Sequence, residues 1–376
     1  MHTGVRQLLG GNTTGAFLRR YWHKEPLLVS DAMPRFHALL SRDELFALAG
    51  RDDVQSRLVQ RTRNRYRQDH GPFRRATLER LPPRNWTLLV QGVNLHVEAA
   101  DALLRRFAFI PYARLDDLMV SHATPGGGVG PHCDSYDVFL LQASGHRRWR
   151  YGRQQDLALV PKAPLKVLQS FTPQHDATLA PGDMLYLPPD YAHDGVAIDA
   201  CTTYSIGFRA PTNQELAEAF VDHLRDTLSV PGRYADPDLR ATAMPGRIGK
   251  GMQRRVAAAI AAIRWNGDDI GRFLGRYLSE PKPDVVFARG VRRSRADFAR
   301  RIGRKGVRLD RRTQLLYDDA RVYVNGEDRP MPASGANALR DLADRRALGP
   351  QACVDLAPEV IDMLHDWQRH GFLADA

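Results

Sequence analysis

Across residues 1–210 the chain never sustains an apolar run for more than a few positions before a glycine, a proline or a polar cluster interrupts it. The clearest runs are Leu27-Leu28-Val29, Trp86-Thr87-Leu88-Leu89-Val90, Asp117-Leu118-Met119-Val120, Asp137-Val138-Phe139-Leu140-Leu141, Met184-Leu185-Tyr186-Leu187 and Thr203-Tyr204-Ser205-Ile206-Gly207-Phe208. Many short β-like runs with Gly/Pro punctuation point to an antiparallel sandwich or barrel, and a jelly roll fits.

The pattern turns helical past Pro211. Thr212 or Asn213 stands as an N-cap, and Glu215, Leu216, Ala219, Phe220, His223 and Leu224 follow at helical spacing. Further helices are expected over 250–280, and Pro281-Lys282-Pro283 is the best linker. The remainder reads as a small α+β unit. A helix enters at Ser294, Val307-Arg308-Leu309 and Arg321-Val322-Tyr323-Val324 read as strands, Asn325-Gly326 is a hairpin turn, and a last helix runs through Val360, Ile361, Met363, Leu364 and Trp367. The order helix, helix, then hairpin suggests a winged helix. The expected division is 1–210, 211–282 and 283–376, in keeping with two or three domains for 376 residues.

No stretch approaches the ~20 apolar residues of a membrane span. The N-terminus lacks a long apolar core and a cleavage site, so a secretory signal is not expected. Three scattered cysteines, Cys133, Cys201 and Cys353, argue against a disulfide framework or a cysteine-ligated zinc site. A reducing cytoplasm is the simplest setting. The net charge of +11 favours polyanionic partners or an RNA-rich environment, though an Arg-rich solvated surface gives the same balance.

The chemistry concentrates at Gly126-Gly127-Gly128-Val129-Gly130-Pro131-His132-Cys133-Asp134. Residues i and i+2 of a strand share a face, so His132 and Asp134 can meet one metal while Cys133 points away. The glycines let the backbone turn sharply ahead of the strand. A third ligand must come from a distant strand. His193, after the turn Pro181-Gly182-Asp183, the apolar run 184–187 and the loop Pro188-Pro189, is the best candidate, 193 − 134 = 59 residues beyond Asp134. Two histidines and one carboxylate form the facial triad of non-haem Fe(II) oxygenases; Zn(II) or Mn(II) can also bind such a set.

These segments resemble the JmjC/cupin-type 2-oxoglutarate oxygenases, and more narrowly the bacterial ribosomal oxygenases. The resemblance is carried by 115–121, by 130–139 around His132-Cys133-Asp134, and by Gly145-His146-Arg147-Arg148-Trp149-Arg150. It extends to Pro181-Gly182-Asp183, Tyr186-Leu187-Pro188-Pro189, 204–211, 21–28 and 86–91. It implies a double-stranded β-helix, a helical segment that forms a homodimer, and a winged-helix-like C-terminal domain. It also implies Fe(II) on His132, Asp134 and His193, with 2-oxoglutarate and O₂ as cosubstrates. The residues alone do not choose between Arg147 and Arg148 as the cation for a dicarboxylate, because neighbours on a strand face opposite sides; the family pattern favours Arg147, with Ser121 as the matching hydroxyl. The implied activity is hydroxylation of an arginine side chain of a large-subunit ribosomal protein, for which Asp117, Tyr136 and Ser205 are the candidate substrate contacts, with ribosomal RNA as a possible further contact. Two positions depart from the family: Cys133, where an aliphatic residue is usual, and His146, where another basic residue is. Three other readings remain: histidyl rather than arginyl hydroxylation, a nucleic-acid-binding regulator with a cupin sensing core, and a zinc or manganese cupin of another activity.

Overall fold

The computed structural model describes residues 2–62 and 65–374. Among these, residues 1–210 contribute β1 (Leu27–Val29), β2 (Ser56–Thr62), β3 (Arg65–His70), β4 (Trp86–Val90), β5 (Leu115–Ala123), β6 (His132–Cys133), β7 (Val138–Ser144), β8 (Arg147–Arg153), β9 (His175–Leu179), β10 (Met184–Leu187), β11 (Tyr191–Ala197) and β12 (Cys201–Phe208). All pair antiparallel, in an eight-stranded sheet ordered β1-β10-β7-β12-β5-β4-β2-β3 and a four-stranded sheet ordered β6-β11-β8-β9. This is the antiparallel jelly roll expected from the short runs, and each of the six runs lies in a strand except for Asp137, which immediately precedes β7.

Strand periodicity explains how the sheets stack. On β7, Phe139 and Leu141 face outward into a core shared with the N-terminal helices, where Phe17 of the helix Thr14–Arg20 packs 5.5 Å from Phe139 and 5.0 Å from Tyr186. Val138 and Leu140 face inward and meet Trp149, Tyr151 and Leu179 of the smaller sheet. A strand buried on both faces reads as a continuous apolar run, which made β7 conspicuous. Burial of each such large side chain stabilises the fold by about 1.5–3 kcal/mol.

Beyond the barrel, Thr212 caps the helix Asn213–Thr227 through a reciprocal capping box with Glu215. This helix and Lys250–Ala261 bury no residue within the chain. The helix Gly267–Ser279 behaves differently and lies on the C-terminal sheet. Its Arg272 Nε donates to Asp328 Oδ2 at 2.9 Å and its Arg276 Nε to the Gly326 carbonyl at 2.9 Å. The C-terminal unit has its own core and carries a three-stranded sheet (Leu315–Tyr317, Arg321–Val324, Glu327–Pro330). That sheet falls between the helix Arg295–Lys305 and the helices Ala336–Arg345, Pro350–Val354 and Pro358–Arg369, not after all of them. Its hairpin turns at Asn325-Gly326, both with positive φ. No helix among the described residues is long and apolar enough to cross a membrane.

Candidate active site

Between the two sheets lies a cavity of about 470 Å³. One face of each strand makes its wall: Asp117, Met119 and Ser121 of β5, Ser205 and Gly207 of β12, Val138 and Leu140 of β7, Arg147 and Trp149 of β8, His193 and Gly195 of β11. The two-residue period of extended chain places these alternate positions together.

His132, Asp134 and His193 meet in this cavity, with candidate ligand atoms all within 4.8 Å of one another. Antiparallel pairing sets His132 directly opposite His193, and their ring centroids are 4.2 Å apart. Asp134 Oδ2 lies 3.9 Å from His132 Nε2 and 3.7 Å from His193 Nε2. Each ring is oriented by its other nitrogen: His132 Nδ1–H donates to the Gly130 carbonyl at 2.9 Å and His193 Nδ1–H to that of Tyr191 at 3.0 Å. A carbonyl can only accept, so these bonds fix the tautomer and turn both Nε2 lone pairs toward Asp134, as metal-ligating histidines require. Burial, reinforced by His132, drops the His193 pKa to about 4, which keeps the ring neutral and able to ligate at neutral pH. The glycines permit this arrangement. A Cβ on Gly128 would stand 2.5 Å from the Gly195 carbonyl oxygen, and Gly130 adopts a φ of +82° just before His132. The strand β6 is only two residues long, and Asp134 enters the site from the loop after it.

Toward the other end of the cavity Arg147 is 4% exposed, with Nη1 donating to Ser121 Oγ at 3.0 Å. Its Nε and Nη2 have no hydrogen-bond partner and no carboxylate pairs with it among the described residues, although the guanidinium lies over the Trp149 ring, 5.7 Å from its centroid. Leaving such a cation buried costs several kcal/mol, so the site is set for an anion. On the β8–β11 ladder Tyr151 faces His193 and Arg147 faces Ala197, four residues away. That is about 13 Å along the strand, a span that an arginine side chain and a five-carbon dicarboxylate fill between them. Arg148 points outward and pairs with Asp176.

The three substrate candidates also line the cavity. Asp117 is buried, and Ser205 lies beside it on β12, opposite Met119. Tyr136 is at the mouth with its ring part exposed; desolvation, then the Asp134 and Asp117 carboxylates, raise its pKa above the ordinary tyrosine value. Sequence reasoning missed Trp149, Arg57 and Thr87 in the wall, and Lys282, which pairs with Asp117. For Trp149 a signal existed, since it stands two residues from Arg147 and shares its face.

Comparison with known proteins gives matches at every level. The JmjC domain family matches residues 102–216 and the ROXA-like winged helix family residues 262–374. The chain is 35% identical over 315 residues to the ribosomal protein uL16 3-hydroxylase of Escherichia coli, covering 83% of this chain and 84% of that protein. It is 34% identical over 248 residues to a probable ribosomal oxygenase of Haemophilus influenzae, covering 64% of this chain and 59% of that one. The structure of the E. coli ribosomal oxygenase YcfD in complex with cobalt and 2-oxoglutarate superposes with a TM-score of 0.81 at 32% identity, over 95% of this chain and 96% of that one.

Proposed function

The chain belongs to the JmjC ribosomal oxygenases, and from that premise we propose that it hydroxylates an arginine side chain of a large-subunit ribosomal protein with Fe(II), 2-oxoglutarate and O₂. The observation that carries the reading is a buried, unneutralised Arg147 sharing one cavity with the His132, Asp134 and His193 cluster. The donor set fits: two neutral imidazoles and a carboxylate would suit a divalent transition metal such as Fe(II). Fe(II) with bound 2-oxoglutarate supplies the oxidation of a substrate C–H bond by O₂, with succinate and CO₂ as co-products.

The protein's part is binding and orientation. His132, Asp134 and His193 would hold the metal, and the Gly130 and Tyr191 carbonyls keep the rings aimed. Arg147, braced by Ser121, takes the distal carboxylate of 2-oxoglutarate in a charge-assisted pair. Val138, Leu140, Met119 and Trp149 give the cavity wall an apolar surface. Asp117 offers a carboxylate to a substrate guanidinium, with Tyr136 and Ser205 beside it. Oxidation at the β-carbon of the target side chain follows the 3-hydroxylase activity in the name of the E. coli relative.

Three further assignments belong to this reading. The helices Asn213–Thr227 and Lys250–Ala261, which bury nothing in the monomer, form a homodimer interface. Arg292, Arg293, Arg300, Arg301 and Arg304 line a hollow at the head of the helix Arg295–Lys305, a basic face suited to ribosomal RNA phosphates. The protein acts in the cytoplasm, where ribosomes assemble.

The test is incubation of the Fe(II)-loaded protein with 2-oxoglutarate, O₂ and large-subunit ribosomal proteins. One ribosomal protein should gain the mass of one oxygen atom with matching succinate, and His132→Ala should abolish both. Succinate without any modified protein, or modification that persists in His132→Ala, would defeat the proposal.

A further inference from the structure

The strand β5 begins with two adjacent carboxylates, and both are met by one lysine from outside the barrel. Lys282 lies between Pro281 and Pro283, just past the helix Gly267–Ser279 that sits on the C-terminal sheet. Its Nζ donates to Asp117 Oδ2 at 3.0 Å and to Asp116 Oδ2 at 3.2 Å. Arg209 completes the cluster, 3.7 Å from Asp116, and its Nη1 donates to the Leu278 carbonyl at 2.7 Å, which ties the end of that helix to the barrel.

Asp117 is divided between two environments. Oδ2 accepts from Lys282 and from the Gly92 amide at 3.0 Å. Oδ1 lies toward β12, 3.8 Å from where a Cβ on Gly207 would stand, and Gly207 and Ser205 are part of the cavity wall. Lys282 does not line that cavity. It lines a second, smaller hollow behind Asp117, between the barrel and the linker. The lysine therefore takes one oxygen from behind and leaves the other to the cavity.

We propose that Lys282 is a positioning residue that anchors Asp117 from behind, so that its second oxygen is presented as an oriented carboxylate to the cationic side chain of the substrate. The inference rests on the reading of Asp117 as a substrate contact. Its consequence is that the linker to the C-terminal unit completes the substrate pocket of the barrel.

Electrostatics supports this arrangement. Burial pushes the Asp117 carboxyl up, and Lys282 is the main charge pulling it back. Burial also works against the Lys282 ammonium, yet Asp117 and Asp116 hold it above the ordinary lysine value. The other charged or titratable groups around Asp117 are Asp116 on its own strand, Arg57 and Tyr136 on the cavity side, and Asp53, His96, Asp284 and Arg312 around the rear hollow. Among the described residues, Lys282 alone of the cations is bonded to Asp117. Without it, Asp117 becomes a buried carboxyl that takes up a proton more readily, and a protonated carboxyl does not attract a guanidinium.

The sign follows. With Lys282 replaced by an apolar residue the Asp117 pKa rises, so substrate affinity is lost at lower pH and regained as pH climbs past the new value. The experiment compares Lys282→Met, Lys282→Arg and Asp117→Asn, with an arginine-containing peptide of the ribosomal protein substrate, from mildly acidic to alkaline pH. Lys282→Met should raise KM for the peptide about tenfold at neutral pH with kcat within about twofold, move the acid limb of kcat/KM to higher pH, and recover in alkali. Lys282→Arg should restore most of the loss, and 2-oxoglutarate affinity should stay unchanged in both. Equal or better peptide binding by Lys282→Met at every pH would overturn the proposal, as would a parallel loss of 2-oxoglutarate affinity. If Asp117→Asn is also silent, the reading of Asp117 as a substrate contact fails with it; if Asp117→Asn is impaired and Lys282→Met is not, only the role of Lys282 falls.

Discussion

Arg147 and Arg148 are neighbours with the same side chain and opposite fates. Arg147 is buried in the cavity with two nitrogens unpaired, whereas Arg148 is exposed and pairs with Asp176. Their difference comes from strand geometry alone: Trp149 and Tyr151 are buried on the face of Arg147, and Arg148 and Arg150 project from the other. The apolar residue two places beyond Arg147 thus carried, within the sequence, the choice that the arginine pair by itself left open. The buried cation is worth more to a bound anion than an exposed one, because solvent screens the latter. Arg147→Gln should weaken 2-oxoglutarate binding about 10- to 100-fold, as read from the visible charge-transfer band on titrating the anaerobic Fe(II) protein with 2-oxoglutarate. Arg148→Gln should leave that titration unchanged, and equal losses in the two variants would contradict the assignment.

Elements differed in how far the sequence disclosed them. The apolar strands β4, β5, β7, β10 and β12 were legible because each is buried on at least one face by neighbours of the same kind. The strands β2, β3 and β9 were not, since Arg57 and Arg61 on β2, Arg65, Arg67 and Asp69 on β3 and Asp176 on β9 break the apolar alternation with charged residues. The metal cluster was legible for a different reason. Its ligands stand on two short segments whose glycines and prolines mark forced turns, although β6 proved too short to carry Asp134. The glycine loop holds β6 against β11 by backbone bonds, from Gly126 N to the Ala197 carbonyl at 2.8 Å and from Ala197 N to that of Gly127 at 2.9 Å. Gly128→Ala drives a Cβ into the Gly195 carbonyl and must displace this loop. Metal affinity should fall about tenfold or more while the far-UV circular dichroism stays native. Gly246→Ala, with nothing within 4 Å of the added carbon, serves as the control and should change neither.

The whole molecule is a barrel that holds the chemistry, a helical arm with unburied apolar residues, and a C-terminal unit joined back to the barrel through Lys282 and Arg209. On the arm, Met252, Val256 and Ile260 recur every fourth residue along one helix face, and all three are exposed in the monomer. The proposed homodimer covers this face, and on that reading the double substitution Val256→Glu, Ile260→Glu should convert a dimer to a monomer in light scattering, with the fold of the barrel retained. The sequence told little at this scale, because what covers a helix face belongs to contacts outside the chain. The central claim is that this cavity oxidises an arginine of a ribosomal protein. Tandem mass spectrometry of the product formed with Fe(II), 2-oxoglutarate and O₂ addresses it most directly: the added oxygen should map to the β-carbon of a single arginine in a large-subunit protein, and an oxygen that maps to a histidine would contradict it.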